Sequence, residues 1–342
     1  MSTRTLIYKI FLVSLLYITT SSHEYLVAQD NFYGTLSITH VRPVAMGGAF
    51  TSLEDDIETI CFNPGGFTMY TYPKDMKVTV FLNPLMSLLA SKYYSNNFSE
   101  NIDFENFLKT SALFVKSIVL SVKQFETGII MGEESFDNVS KNKKSQFFAY
   151  SDLWNDNSNT VFVKLKLAQR VSIGLSGTYF LREMNDTKKT GIGFSYGIIM
   201  KPNNRLNVGL SYVDLPNSMA DFYARLERIV DETMNIGLSY KLSSGTIIAT
   251  DIRNLTEENK ENVRELHIGL EQRVFRILAI RGGYFKDRNA NVHTFSAGLA
   301  LIDSNIFSSQ ENKFYHNNFI IDYAFVHEHN ANWHLFSFLW HF

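Results

Sequence analysis

The chain has 342 residues, enough for two average domains or for one large barrel. Hydrophobic residues make up 45% of it, which excludes a compositionally disordered protein, and charged residues make up only 19%. The formal net charge of −2 gives none of the basic character that nucleic-acid binding requires. The single cysteine, Cys61, excludes an intramolecular disulfide framework and a thiolate cluster for a metal.

Residues 1–22 have the pattern of a secretory signal peptide. Arg4 and Lys9 precede the apolar run 10–18, and small residues at 20–22 offer a cleavage site, although cleavage as late as residue 28 also fits. The apolar run is well short of the roughly 20 residues that a membrane-spanning helix needs. We therefore expect an exported protein whose mature chain has no helical span.

From about residue 145 onward, apolar and polar residues alternate, which indicates β-strands. The stretch 171–179 places aliphatic and aromatic residues on one face and serine, glycine and threonine on the other, and 206–212, 234–242 and 265–271 repeat this pattern. Further strands are predicted at 160–167, 190–200, 245–253, 276–285, 292–301, 317–326 and 333–342. Most are close to the 9–11 residues that a tilted membrane strand needs.

The connections favour a membrane barrel over a soluble β-sandwich, which the alternation alone would also fit. Short turns are predicted at 168–170, 202–204, 243–244 and 273–275, and longer polar links at 182–189, 214–231, 254–262 and 286–291. Short and long connections alternate, as periplasmic turns and external loops do in outer-membrane barrels. Two connections break this rule: 302–316 is long on the turn side, and 327–332 is short on the loop side.

Residues 78–144 are predicted to contain a strand at 78–90, a short amphipathic helix at 101–117 and a strand at 121–131. With the eleven strands above, two strands here give thirteen, and because bacterial barrels have an even number of strands we expect about fourteen. The predicted fold is therefore all-β: a closed antiparallel transmembrane barrel formed by 78–342. Because small residues dominate the inward face, the lumen has room for a plug, to which we assign 23–77.

The end of the chain gives a second indication of an outer-membrane barrel. Phe336, Phe338, Trp340 and Phe342 follow one another at period two, so they share one face of a terminal strand. Such a strand resembles the assembly signal of bacterial outer-membrane proteins and implies recognition by the barrel-assembly machinery. The alternative is the last strand of a soluble sheet.

Three short motifs lie between the leader and the first barrel strand: Met46-Gly47-Gly48-Ala49-Phe50, then Asp55-Asp56, then Asn63-Pro64-Gly65-Gly66. Proline and paired glycines are turn residues, since proline fixes φ and glycine permits positive φ. In this combination the chain resembles the PorV/FadL-type outer-membrane proteins, which are related to long-chain fatty-acid transporters. The resemblance extends to 266–271, 281–285, 295–299, 322–325 and 334–342. Gly65 and Phe62 depart from the alanine and tryptophan that are common in the family.

The resemblance implies a plugged barrel of about fourteen strands in the bacterial outer membrane, in contact with its lipid. Members either pass hydrophobic small molecules, such as long-chain fatty acids, or act as non-transporting partners of secreted proteins in export or surface assembly. The expected mechanism is that a ligand binds near the plug and that movement of 42–67 opens a route. Neither role implies a cofactor.

Two clusters of titratable residues could have a chemical role in place of a structural one. Glu54, Asp55, Asp56 and Glu58 are suited to cation binding or acid–base chemistry, but capping a short helix or pairing with lumenal lysine and arginine is favoured. A metal site at His327-Glu-His329, with His316, His334 and His341, is less favoured than water-facing residues at a hairpin tip.

An outer-membrane hydrolase is the second functional alternative, but the sequence predicts no enzyme. His293 and Ser296 have opposite strand parity, as do His334 and Ser337, so neither pair shares a face. The spacing Gly-x-Ser-x-Gly occurs at 193–197, but it lies inside the predicted strand 190–200, so the strand-to-helix turn of a nucleophile elbow is missing. Cys61 is predicted to be a buried residue of the plug.

Overall fold

The computed structural model describes fourteen stretches of the chain: 34–35, 41–54, 57–66, 76–83, 115–133, 156–168, 170–184, 187–214, 233–255, 264–274, 278–287, 292–303, 318–328 and 331–341. In them, a two-residue strand, β1 (Gly34–Thr35), precedes the short helices α1 (Val41–Ala45) and α2 (Thr59–Phe62). No helix in these stretches has the length and apolar character needed to cross a membrane.

All further elements are strands, and they pair in chain order. They are β2 (Met76–Leu82), β3 (Val115–Val122), β4 (Phe125–Glu133), β5 (Asp156–Ala168), β6 (Val171–Met184), β7 (Thr187–Met200), β8 (Leu206–Asp214), β9 (Thr233–Lys241), β10 (Thr246–Arg253), β11 (Glu265–Val274), β12 (Leu278–Asp287), β13 (Val292–Asp303), β14 (Asn318–Glu328) and β15 (Ala331–His341). Each is antiparallel to the next, so the connections form an up-and-down meander.

The meander closes on itself. The last strand, β15, pairs with β2 through Trp340↔Leu82 and His341↔Phe81, and this makes β2–β15 a closed antiparallel barrel of fourteen strands. The predicted fold class is thereby confirmed. On the same edge of β15, β1 pairs in parallel through Gly34↔His334 and Thr35↔Leu335.

The wall has an apolar outer face and a polar or small inner face. On β6, Ile173, Leu175 and Tyr179 are 36, 44 and 45% exposed, whereas Ser172 and Ser176 are buried. A soluble sandwich would bury the aliphatic face instead, so that alternative is wrong. The alternation in the sequence therefore predicted correctly which residues face outward.

The region 78–144 differs from its prediction. The expected strand 121–131 contains a tight turn at Lys123 and Gln124, and these residues join β3 to β4. Lys123 takes a positive φ of 50°, which neither a glycine nor a proline signals in the sequence. Residues 115–117 of the predicted helix belong to β3, and 101–114 lie outside the described residues. Three described strands, β2–β4, therefore lie here instead of two.

The predicted polar link 182–189 is also wrong, because the β6–β7 ladder continues through it. Arg182 pairs with Lys189 and Met184 with Thr187. A polar sequence does not end a ladder by itself, since the backbone hydrogen bonds form whatever the side chains are.

Candidate functional site

An N-terminal stretch lies against the inward face of the wall; we call residues 41–54 and 57–66 the inner segment. Met46, Ala49 and Phe50 are fully buried. At its start, Val41, Val44 and Ala45 form an apolar cluster with Ala324, Val326 and Leu335 of β14 and β15.

The double-glycine motif is held by polar groups of three strands. The amide of Gly47 donates to Ser296 Oγ (3.1 Å), and His267 Nδ1 donates to the carbonyl of Gly47 (2.6 Å). The guanidinium of Arg253 donates to the carbonyl of Gly48. Donors and acceptors of the turn are thereby satisfied inside the barrel, as buried backbone groups must be.

Only glycine fits at the first position of this turn. Gly47 and Gly48 have φ angles of +62° and +78°, a region that other residues rarely adopt. A Cβ atom on Gly47 would also lie 2.6 Å from the backbone nitrogen of Tyr284. The double-glycine motif is therefore required by the backbone conformation of the turn and by its close contact with β12.

The next residues are attached to β9 and β10. The amides of Phe50 and Thr51 both donate to Asp251 Oδ2, each at 2.8 Å. Ser239 Oγ donates to the carbonyl of Ser52 at 3.1 Å. One inward carboxylate thus takes the place of the hydrogen-bond partners that two consecutive amides would find in water.

The Asn-Pro-Gly-Gly turn is attached through its asparagine. The amide nitrogen of Asn63 donates to the carbonyl of Thr51 (2.8 Å) and to that of Ile198 on β7 (3.1 Å), and its oxygen accepts from the amide of Gly65 (3.0 Å). A Cβ atom on Gly197 would lie 1.9 Å from this oxygen. The side chain therefore occupies space that the wall leaves free only because residue 197 is glycine.

The same arrangement is repeated around the barrel. Seven inward-facing glycines have a virtual Cβ position 1.9–2.9 Å from an atom of the inner segment, closer than real contacts allow; we call them the glycine girdle: Gly174, Gly197, Gly209, Gly237, Gly269, Gly283 and Gly298. They lie on β6–β9 and β11–β13, and the buried Ala249 stands opposite Gly269 on β10. The segment thus lies in close contact with seven wall glycines and with Ala249 between them, over eight successive strands.

A buried ionic cluster holds the first helix. Arg42 donates to Glu271 from Nε (2.8 Å) and Nη2 (3.2 Å), and Arg281 Nε donates to the same carboxylate (2.8 Å). Arg281 also forms an ion pair with Asp322 on β14. These four groups are almost fully buried, so each charge is compensated by its neighbours and not by water.

One part of the remaining inner surface is an apolar cluster among buried polar residues. Ile57 and Ile60 of the inner segment pack against Phe81, Val119, Ile130, Phe162 and Leu339; we call these five wall residues, on β2–β5 and β15, the apolar sector. All seven side chains are buried. At its border, Lys164 Nζ pairs with Glu126 Oε2 at 3.0 Å.

Of the four acidic residues in and around the second motif, the structure describes two. Glu54 forms an ion pair with Lys201, and Glu58 Oε2 accepts from the amide of Arg42 (3.2 Å), so both carboxylates have polar partners. Asp55 and Asp56 lie outside the described residues. The other predicted plug residues, 46–50 and 63–66, belong to the inner segment.

The terminal strand has the predicted alternation where its side chains are described. Trp340 is exposed and Phe338 half-buried, whereas Leu335, Ser337 and Leu339 are buried. Phe342 and the side chain of Phe336 lie outside the described part of the chain. Recognition of this strand by an assembly machinery stays a prediction.

His293 is exposed and bonds to Tyr284, whereas Ser296 is buried against the inner segment, so the two residues lie on opposite faces as predicted. Among the described residues, no group of three or more His, Cys, Asp or Glu could hold a metal ion. His316 and His329 are not among them. Cys61 is partly exposed and not buried as predicted.

The sequence prediction did not identify the charged residues that anchor the segment: Arg42, Asp251, Arg253, Glu271 and Arg281. A usable signal existed, because Glu271 and Arg281 have inward parity on neighbouring strands and pair directly. Opposite charges on the inner face of adjacent strands mark an ion pair in the lumen.

No family model and no curated protein sequence matches this chain. Among solved structures it is similar to the Ralstonia pickettii toluene transporter TbuX, with 11% identity, 92% of this chain and 97% of that chain covered, and a TM-score of 0.41. It is also similar to a triple mutant of the Rhodopseudomonas blastica porin, with 13% identity, 66% and 75% covered, and a TM-score of 0.32.

Proposed function

We propose that this protein is an integral outer-membrane barrel that binds hydrophobic small molecules and passes them through its lumen. The observation that carries the proposal is the apolar sector, a hydrocarbon surface on the inner wall of a barrel. A general porin needs a water-filled, polar lumen. An inner surface of isoleucine, leucine, valine and phenylalanine suits a ligand that leaves water.

The outer face supports a place in the membrane. Large apolar residues at outward positions are exposed on strand after strand, for example Val161 (51%), Ile192 (62%) and Tyr196 (51%). Exposing such a surface to water would be costly, and lipid is the solvent in which it is favourable. Among the described strands, closure of β15 on β2 also leaves no strand of the barrel without two neighbours, as a sheet in a bilayer requires.

A non-transporting role in protein export or surface assembly, as in PorV-like proteins, is the second candidate. It is favoured by the glycine girdle, because a segment in close contact with seven wall glycines obstructs that side of the lumen. In this role the outer loops would hold a secreted partner and no small molecule would cross.

Purified protein in proteoliposomes tests the two candidates. Transport predicts uptake of the uncharged fluorophore N-phenyl-1-naphthylamine above that of empty liposomes, and bound lipid in native mass spectrometry of the purified protein. Uptake equal to that of empty liposomes, no bound lipid and co-purification of a secreted protein would contradict transport and support the export role.

The hydrolase alternative has its own measurement, which is ester hydrolysis by the same purified protein. We expect none above the detergent blank. Hydrolysis that one serine substitution abolishes would overturn the proposal of a non-enzymatic barrel.

A further inference from the structure

We propose that ligands pass the inner segment along the apolar sector while the segment stays docked in the glycine girdle, and that these ligands are uncharged. This inference rests on the proposed function, and it deepens it by naming the route and the ligand class. It also replaces the expectation that residues 42–67 move as a whole to open a route.

The docked side resists movement because its contacts are directional and closely spaced. The space above Gly283 is filled by the amide of Gly47, which lies 1.9 Å from the virtual Cβ position, and the space above Gly209 by the carbonyl of Thr51 at 2.1 Å. Asp251 holds two amides and Asn63 holds carbonyls of both the segment and the wall. Withdrawal of the segment would leave all of these buried polar groups unpaired at once.

The opposite side is held differently. Ile57 and Ile60 meet Phe81, Phe162 and Leu339 through carbon atoms, and such contacts depend on area and not on direction. A hydrocarbon ligand can therefore replace the two isoleucine side chains with little net change in buried apolar area. The displacement required is that of two side chains, whereas 41–54 and 63–66 keep their bonds to the wall.

The charged groups near this route already have interaction partners. Lys164 and Glu126 form a buried pair at 3.0 Å, and Lys116, also buried on β3, has an interaction partner. On the docked side, Arg42 and Arg281 share Glu271. A carboxylate ligand would have to separate a buried ion pair to find a cation, and a separated buried charge is costly. Uncharged hydrocarbons avoid that cost.

A reversible lock tests whether the segment must leave. In a Cys61→Ser background, Ser52→Cys and Ser239→Cys place thiols on two residues in direct contact. With the disulfide formed, as verified by mass spectrometry, we expect uptake of N-phenyl-1-naphthylamine into proteoliposomes to stay within about twofold of the reduced protein. Uptake that the disulfide abolishes and reduction restores would overturn the proposal.

Two inward phenylalanines, one on each side, provide a test that does not depend on the lock. Phe162→Ala removes a ring from the route, and we expect uptake to rise about fivefold because less has to be displaced. Phe285→Ala removes a buried ring that stacks on His267, on the docked side, and is expected to leave uptake unchanged. Heat-modified electrophoretic mobility checks that both variants fold. Equal changes in the two variants, or no change for Phe162→Ala, would contradict the route.

The ligand class is tested by comparing the uncharged probe with an anionic one, dansyl-undecanoate at pH 8. After each uptake rate is divided by the rate in empty liposomes, we expect the uncharged probe to be taken up about tenfold faster than the anionic probe. Equal or faster uptake of the anion would overturn the ligand class. If wild-type protein takes up neither probe, the proposed function itself fails, and this inference fails with it.

Discussion

The inner segment meets the barrel wall by two different chemistries on opposite sides of the lumen. Towards β6–β13 it presents backbone to glycine, and inward carboxylates, hydroxyls and arginines bind its amides and carbonyls. Towards β2–β5 and β15 it presents Ile57 and Ile60 to five apolar side chains. The same two dozen residues are therefore held through many hydrogen bonds on one side and through the packing of two isoleucines on the other.

The difference shows how one short segment can be fixed in position and still let a ligand replace some of its contacts. Hydrogen bonds in a low-dielectric interior are costly to break without replacement, so the polar side determines where the segment lies. Apolar contacts are non-directional and a ligand can substitute for them, so the opposite side can exchange partners. The experiments below test this asymmetry, beginning with the largest expected effect.

The strongest test of the docked side is a substitution in the girdle. Gly283→Val would place a Cβ atom 1.9 Å from the amide nitrogen of Gly47. Since backbone lies on both sides, we expect a loss of more than about 4 kcal/mol in the free energy of unfolding, or failure to fold, measured by urea unfolding in micelles.

Its neighbour supplies the control. A Cβ atom on Gly282 would have no atom within 4 Å, so Gly282→Val is expected to change the free energy of unfolding by less than about 0.5 kcal/mol. Equal losses in both variants would show that the effect comes from the strand and not from the segment.

The ionic cluster is the next test. Glu271→Gln leaves the Arg42 guanidinium buried without its anion, and we expect a loss of about 3–5 kcal/mol in the same unfolding measurement. Arg273 also approaches Glu271, at 3.6 Å, but its side chain is 52% exposed. Arg273→Ala should therefore cost less than about 1 kcal/mol, and a cost equal to that of Glu271→Gln would contradict the importance of burial.

A smaller effect is expected for the turn. Asn63→Asp keeps the shape of the side chain but loses the hydrogens donated to Thr51 and Ile198, at an expected cost of about 2–3 kcal/mol. The direct measurement is the rate at which a maleimide labels Cys61, the one cysteine of the chain, two residues away. Labelling should accelerate in Asn63→Asp and stay unchanged in Asn203→Ala, which alters only an exposed turn.

The apolar side should respond least. Ile60→Val removes one methylene from the contact with the apolar sector, and the expected cost is about 0.5–1.5 kcal/mol in urea unfolding. A loss as large as that of Asn63→Asp would mean that this contact also fixes the position of the segment, and the asymmetry would disappear.

Much of the wall could be predicted from sequence because period-two alternation indicates directly which side chains face outward. The stretch 171–179 has the predicted faces, and the inward serines and glycines are the residues that the inner segment touches. The sequence does not indicate the turn at Lys123, because no glycine stands at its positive φ, and it predicts a loop at 182–189 because polar residues are typical of exposed links.

The anchoring contacts could be predicted only in part. The double-glycine and Asn-Pro-Gly-Gly motifs indicate an unusual backbone conformation. They do not show that Asn63 donates to a carbonyl on β7 or that Asp251 accepts hydrogen bonds from two amides. Those partners are separated by 135 and about 200 residues, and only closure of the barrel brings them together. The alternation along the strand predicts that Glu271 faces inward, but it does not identify Arg42 as its partner.

The parallel pairing of β1 with β15 has a consequence for biogenesis. Near its start the chain is attached to the last strand of the wall, and the residues that follow β1 within the inner segment touch eight other strands. Because these contacts link the segment to both ends of the strand order, we expect the barrel to close around the segment during folding, so that closure and enclosure are a single cooperative event.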